Sequence, residues 1–157
     1  MKKILILDNI RSVYNVGSIF RTANACGIDE IYLCGITPTP LDKRGRERSD
    51  FAKVALGADK TVKWTYAEDT LALVKKLRGE NYFVIAIEQD VKSIDYKEID
   101  IKNQSKVAFI VGSEVGGISQ DILSKSSAIA QIPMLGTKES LNVTIALGIV
   151  LYRILDI

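Results

Sequence analysis

Three short runs in this chain are apolar at almost every position rather than at alternate positions. These runs are Lys3–Leu7, Tyr82–Ile87 and Lys106–Val111. A strand that is apolar on both faces has to be covered on both faces, as strands are in a parallel sheet between layers of helices. Helix-like patterns occur between the first two runs, at Val16–Ala25 and Glu68–Leu77, and after the third run, at Ser140–Leu155. The alternation predicts an α/β fold in which a mostly parallel sheet carries helices on both faces.

The segments between these runs predict three more strands, at Glu30–Cys34, Thr61–Trp64 and Ser127–Ile132. The stretch from Gly35 to Asp50 contains all but one of the prolines and is predicted to be a long exposed loop, with a short turn at 55–58 after it. The sequence shows no internal repeat and no linker. A chain of 157 residues is therefore expected to fold as one domain over residues 1–157.

The absence of histidine excludes several classes of enzyme site. Ser-His and Cys-His nucleophile pairs need an imidazole, and two cysteines without histidine do not make a zinc site, so no metal is expected. Cys26 and Cys34 are expected to be reduced core residues. We see neither a secretory leader nor an apolar stretch of membrane-spanning length, so a cytoplasmic protein with no membrane partner is expected.

Two glycine-containing strings lie close together in the last third of the chain. The first, at 107–118, runs from an apolar strand through Gly112, Glu114 and Gly117, and the second covers 132–144. Neither string matches a dinucleotide or phosphate-loop fingerprint. Taken alone, the first is equally well a turn that needs flexible glycines. Side by side, the two loops would make a pocket lined by backbone N–H and C=O groups, which suits a ligand with an adenine-like face.

A polar triplet, Ser140-Leu141-Asn142, precedes the apolar run of the last predicted helix. Ser and Asn are good capping residues, and Ser140 is expected near the helix start. Asn142 is expected just inside the helix, where an amide is costly unless it has hydrogen-bond partners. The triplet therefore suggests a helix end that touches a site.

The segment after the first strand offers a second ligand-facing helix start, because α/β proteins bind ligands outside the carboxyl ends of their strands. Asn15 is predicted to cap this helix through its side-chain oxygen, and Gly17 would let a ligand or another backbone approach. Arg21 follows one turn later. Spacing alone favours a capped helix with a surface arginine.

Positive charge is concentrated in one segment, although the net charge of the chain is only +2. The cluster contains Lys43, Arg44, Arg46, Arg48 and Lys53, and Arg11 lies after the first strand. Such a run is usually a solvated face. Beside a nucleotide-like pocket, it is better interpreted as a phosphate-contacting flap.

Together these segments resemble the SpoU family, the TrmH-like RNA 2′-O-ribose methyltransferases of the SPOUT superfamily. The resemblance extends from Leu5 to Tyr152 and has three motifs, namely Asn-x-Gly-x-x-x-Arg at 15–21, Gly-x-Glu-x-x-Gly at 112–117, and Ile-Pro-Met followed by Ser-Leu-Asn-Val-Thr-x-Ala at 132–146. The third motif is the most specific and the first is weak alone.

The resemblance implies a C-terminal trefoil knot, a homodimer, and S-adenosylmethionine bound by the knot loops. The cofactor contacts implied are Ile87, Gly112, Ile132, Met134 and Leu141. The catalytic set implied is Arg21, Asn15, Glu114, Ser140 and Asn142, with Arg21 contributed across the dimer interface. The partner implied is tRNA or rRNA, not DNA. The separate RNA-binding domain that many members carry is not seen.

The reaction implied is attack of a ribose 2′-hydroxyl on a methyl sulfonium, which mainly requires alignment. A guanidinium is a poor base, so Arg21 is expected to position oxygens and to stabilise developing negative charge. Three other interpretations remain open. They are a SPOUT methyltransferase acting on a base nitrogen, a non-catalytic knotted RNA-binding protein, and a generic monomeric nucleotide-binding domain.

Overall fold

Seven strands form a single sheet in the computed structural model, which describes all residues 1–157. The strands are β1 (Lys2–Asp8), β2 (Glu30–Cys34), β3 (Lys63–Ala67), β4 (Phe83–Ile87), β5 (Ile94–Asp95), β6 (Lys106–Val111) and β7 (Ala128–Gln131). Their order across the sheet is β3-β2-β1-β6-β4-β7-β5, and every neighbouring pair is parallel. The mostly parallel sheet of the prediction is thus entirely parallel.

Five α-helices lie between strands, and a sixth follows the last strand. They are α1 (Val13–Ala25), α2 (Ser49–Ala55), α3 (Ala58–Thr61), α4 (Thr70–Gly79), α5 (Gln120–Lys125) and α6 (Val143–Leu155), and a 3₁₀ turn covers Tyr96–Glu98. No helix is long and apolar enough to cross a membrane.

The core consists of two apolar clusters, one on each face of the sheet. On one face α1, α2 and α6 cover the sheet, with Phe20, Phe51 and Leu151 fully buried. On the other face α4 and α5 cover it through Val74 and Ile122. The prediction of helices on both faces is confirmed, and it explains why the central strands are apolar throughout. Cys26 and Cys34 are buried free thiols, one in each cluster.

Several predicted boundaries are wrong, and two short elements were not predicted. The strand predicted at Thr61–Trp64 begins only at Lys63, because Thr61 ends α3. The predicted exposed loop ends in α2, which begins at Ser49 and carries Lys53. α5 and β5 were not predicted, since each is too short to show a period and is fixed by contacts with distant segments.

Candidate functional site

A cavity of about 700 Å³ lies where the carboxyl ends of β4, β6 and β7 meet the first turn of α6. Because the strands are parallel, the loops that follow them gather at one edge of the sheet. All five predicted cofactor contacts line this cavity, namely Ile87, Gly112, Ile132, Met134 and Leu141. The structure therefore brings the two glycine-containing strings together, as their composition suggested.

The wall contributed by the loop after β6 is a tight turn. The Gly117 N–H donates to the Ser113 carbonyl oxygen at 2.9 Å, and the Gly116 N–H donates to Ser113 Oγ at 2.9 Å. A Cβ on Gly112 would lie 2.4 Å from the carbonyl carbon of Gly117. Only glycine fits at position 112, because the opposing atoms are backbone and cannot rotate away.

Glu88 forms an adjoining wall of the cavity and was not predicted from the sequence. Its Oε2 accepts a hydrogen bond from the Ile118 N–H at 3.0 Å, and its Oε1 accepts one from the Gln89 N–H at 2.9 Å. A Cβ on Gly117, whose φ is +61°, would lie 2.5 Å from Glu88 Oε2. A single acid after a strand has no sequence signature, so nothing in the chain pointed to this contact.

Gln89, the residue after Glu88, links this wall of the cavity to the second glycine-containing string. Gln89 Nε2 donates to the Glu139 carbonyl oxygen at 2.7 Å. Next to it, Gln120 Nε2 donates to Asp90 Oδ2 at 2.8 Å, and this hydrogen bond lowers the pKa of Asp90. Residues 88–90 thus hold both loops of the cavity in place.

Three polar side chains from distant parts of the chain meet at the edge of the cavity. Asn15 Nδ2 donates to Glu114 Oε1 at 2.7 Å, and Asn142 Nδ2 approaches Asn15 Oδ1 at 3.5 Å. Asn15 is only 7% exposed, so both ends of its amide are used inside the protein. Glu114 and Asn142 line the cavity, and Asn15 joins them from behind.

The caps of α1 and α6 differ from the prediction. Ser12, not Asn15, caps α1, since Ser12 Oγ accepts from the Asn15 N–H at 3.1 Å. Asn142 is itself the cap of α6 and accepts from the Thr144 N–H at 2.9 Å, so it does not lie inside the helix. Ser140 precedes this cap and lines the cavity. The Asn142 amide is satisfied by the helix end and by Asn15.

Arg21 is the one predicted catalytic residue that the chain does not bring to this cavity. Its exposed side chain lines a separate groove of about 530 Å³, together with Asn24, Leu56 and Thr61. Arg21 and Glu114 thus line different pockets of the same chain.

The basic segment is divided between paired and unpaired cations. Arg46 binds Asp42 at 2.8 Å, and Arg48 binds Asp50 at 2.8 Å. Hydrogen bonds from the Arg46 backbone and side chain lower the pKa of Asp42. Among the cations predicted to contact RNA, those that are exposed and have no ion-pair partner are Lys43, Arg44, Lys53 and Arg11. These four are the more available for an anionic ligand.

Comparisons with known proteins agree on one family. The family model described as "SpoU rRNA Methylase family" matches residues 2–152. The 23S rRNA (guanosine-2′-O-)-methyltransferase RlmB of Coxiella burnetii is 28% identical over 151 residues, which are 96% of this chain and 57% of that protein. The tRNA (guanosine(18)-2′-O)-methyltransferase of Borreliella burgdorferi is 24% identical over 150 residues, which are 96% of this chain and 64% of that protein.

The fold also matches solved structures. The crystal structure of an AdoMet-bound rRNA methyltransferase from Sinorhizobium meliloti superposes with a TM-score of 0.86 at 30% identity, covering 97% of this chain and 55% of that one. The chain thus spans less than two thirds of the length of each relative described.

Proposed function

The chain belongs to the SpoU rRNA Methylase family, and from this membership we propose that it methylates a ribose 2′-hydroxyl of tRNA or rRNA with S-adenosylmethionine. The observation that carries the proposal is the cavity between the two glycine-containing loops, with the Asn15–Glu114–Asn142 cluster at its edge. Two relatives are named as 2′-O-methyltransferases of RNA.

The cavity fits S-adenosylmethionine on its own chemistry. Gly112 and Gly117 let the loop after β6 close tightly against itself and against Glu88, which shapes one wall of the cavity. Ile87, Ile132 and Leu141 supply an apolar surface for an adenine ring. When bound, the cofactor supplies an activated methyl group. The loops of this chain would hold it and exclude water.

We assign the reacting end of the site to the polar cluster and to Arg21. Glu114 is held by Asn15, and Asn142 by the end of α6, so both present fixed polar atoms at the cavity. The guanidinium of Arg21 would hold the ribose oxygen and a phosphate, and would stabilise the charge that develops on the oxygen as its proton leaves. Ser140 lies beside this edge and completes the set.

We also propose a homodimer in which Arg21 of one copy reaches the cavity of the other. A stripe of exposed apolar side chains runs along one face of α6 and continues to Leu141, two positions before the helix. The stripe is formed by Leu141, Ile145, Ile149 and Tyr152. Ile145 is 54% exposed, which is unusual on a helix that otherwise packs against the core. A second copy of the chain would cover this stripe.

The order of the strands supports the proposed knot. β4 and β5 are consecutive along the chain, yet β7 lies between them in the sheet. β7 therefore lies in a space that is bounded by β4 and by the earlier segment 88–105, which contains β5. α6, which follows β7, packs near the 3₁₀ turn of that same segment. We propose that the chain threads this loop as a trefoil.

The direct test is methyl transfer from tritiated cofactor to tRNA and rRNA transcripts, followed by nuclease digestion and identification of the labelled nucleoside. We expect 2′-O-methylnucleoside. Label on a base nitrogen would instead make the chain a SPOUT methyltransferase acting on bases. RNA binding without transfer, despite cofactor binding by calorimetry, would make it a non-catalytic RNA-binding protein.

A further inference from the structure

The charged groups that line the cavity are all negative. Glu88 and Glu114 are its two carboxylates, and none of its lining residues is a lysine or an arginine. Such a cavity favours a ligand that carries positive charge. On the basis of the proposed function, we propose that Glu88 is the fixed counter-charge that makes the site bind the cationic cofactor more tightly than its neutral product.

The position of the Glu88 carboxylate is fixed from two sides. The Ile118 and Gln89 N–H groups each donate to one of its oxygens, at 3.0 and 2.9 Å. The bare Cα of Gly117 leaves the space in which the carboxylate lies. The side chain is half-buried, so its field is screened by water less than that of a surface acid. A charge held in this way needs no reorganisation when a ligand enters.

Glu114 is the weaker candidate for this role. It is exposed, and its Oε1 is hydrogen-bonded by Asn15 at the edge of the cavity. The acids next in sequence to lining residues, Asp90, Asp121 and Glu139, do not themselves line the cavity. Glu88 is therefore the carboxylate whose removal changes the field inside the cavity most.

Cofactor and product differ by one unit of charge. S-adenosylmethionine carries a sulfonium, an ammonium and a carboxylate, for a net charge of +1. When the methyl group moves to the ribose oxygen, the C–S bond breaks with its electron pair left on sulfur, and the proton of the hydroxyl passes to water. S-adenosylhomocysteine is then neutral overall. A nearby carboxylate lowers the free energy of the cofactor complex relative to that of the product complex, which favours product release.

The experiment is to measure the dissociation constants of both compounds by calorimetry, using wild-type protein and Glu88→Gln. Glutamine keeps the shape and one acceptor but removes the charge. For a separation of about 10 Å and an effective dielectric constant of about 20 to 40, the preference for cofactor over product should fall about 4- to 20-fold. Glu98→Gln, which removes an exposed acid that does not line the cavity, should leave the preference unchanged.

The ratio of the two constants separates this role from a structural one. If Glu88 only holds the loop, Glu88→Gln weakens the binding of both compounds equally. The ratio of the two dissociation constants then stays at the wild-type value, which overturns the proposal. Glu88→Asp keeps the charge and should retain most of the preference even if both affinities fall. If wild-type protein binds neither compound, the proposed function fails instead.

Discussion

Asn15 and Glu114 are joined by a hydrogen bond of 2.7 Å although 99 positions separate them in the chain. The contact ties the start of α1 to the loop after β6, and Asn142 continues it to the start of α6. The buried amide of Asn15 thus holds together the three segments that carry the three sequence motifs. The geometry of the proposed reacting site depends on this amide.

Replacing Asn15 by aspartate keeps its size but places a second carboxylate against Glu114. Like charges at hydrogen-bond distance repel, and the Glu114 side chain loses its donor. We expect methyl transfer by Asn15→Asp to fall about tenfold or more, together with a lower thermal midpoint. Adding Glu114→Gln returns an N–H donor to the pair and should recover part of the methyl transfer and part of the thermal midpoint. No recovery in the double variant would show that the pair acts through something other than this bond.

Gly112→Val should abolish cofactor binding, because a Cβ there would lie 2.4 Å from the backbone of Gly117. Gly136→Ala is the matched control. It changes a glycine in the other string, where an added Cβ has no atom within 4 Å. Calorimetry with S-adenosylmethionine should show near wild-type affinity for the control. Tight binding by Gly112→Val would place the cofactor elsewhere.

The architecture could be predicted from the sequence because the central strands are apolar throughout. β2 (Glu30–Cys34) and β6 (Lys106–Val111) have the predicted bounds, and β1, β4 and β7 differ by one residue at one or both ends. Burial on both faces leaves a strong signal in the residues themselves. α5 and β5 have two and no buried side chains, respectively, so their sequences carried little to detect.

The site was predicted less completely than the fold. The backbone-lined walls were found because glycine and the third motif are visible in the sequence. The partners of Asn15 were not, because Ser12 and Asn15 are both good caps and the sequence cannot choose between them. Glu88 was missed for a similar reason. Its role comes from Ile118 and Gly117, which are about thirty positions away.

The ion pairs of the basic segment predict unequal roles for its cations. Lys43 and Arg44 are exposed and unpaired, whereas Arg46 and Arg48 already bind Asp42 and Asp50. If the segment contacts RNA phosphates, Lys43→Ala with Arg44→Ala should reduce RNA affinity and flatten its dependence on salt. The Arg46→Ala and Arg48→Ala pair should have a smaller effect. Filter binding at several salt concentrations measures both slopes, and cofactor affinity serves as the control.

Asp8 should make stability depend on pH in the acid range. Burial raises its pKa, an effect partly opposed by hydrogen bonds from Thr70 and Asn9. The folded state then holds the proton more tightly than the unfolded chain, so this contribution to stability is complete below about pH 3.9 and is lost as pH rises through the folded pKa. Asp8→Asn lacks this loss. The unfolding midpoint in denaturant should be measured from pH 4 to 7.5 for Asp8→Asn and for wild type. The difference between the two midpoints should increase with pH in favour of Asp8→Asn and then level off.

Arg21→Ala should strongly reduce methyl transfer while leaving the fold and cofactor affinity near wild type. Arg21 is exposed and lies in a groove apart from the cavity, so its loss removes no core contact. Loss of a donor aimed at the transition state typically costs about 10²–10³ in rate. Arg21→Lys keeps the charge but not the planar fork, and should recover little. The measurement is 2′-O-methylnucleoside formed in a transcript, with thermal unfolding as the control for fold.

Mixing two inactive variants tests whether Arg21 acts across an interface. Arg21→Ala retains an intact cavity, and Gly112→Val retains an intact Arg21. In a mixed dimer, one composite site combines the intact cavity of the first copy with Arg21 of the second. Co-expression of the two variants with different tags, followed by tandem purification, should therefore restore about half of the activity per dimer. Restoration of activity requires a dimer, and light scattering checks the dimer independently. Ile145→Glu on the exposed face of α6 should prevent both dimer formation and the restoration of activity. A mixed dimer with no activity would mean that Arg21 serves its own cavity after a rearrangement, or does not serve the reaction at all.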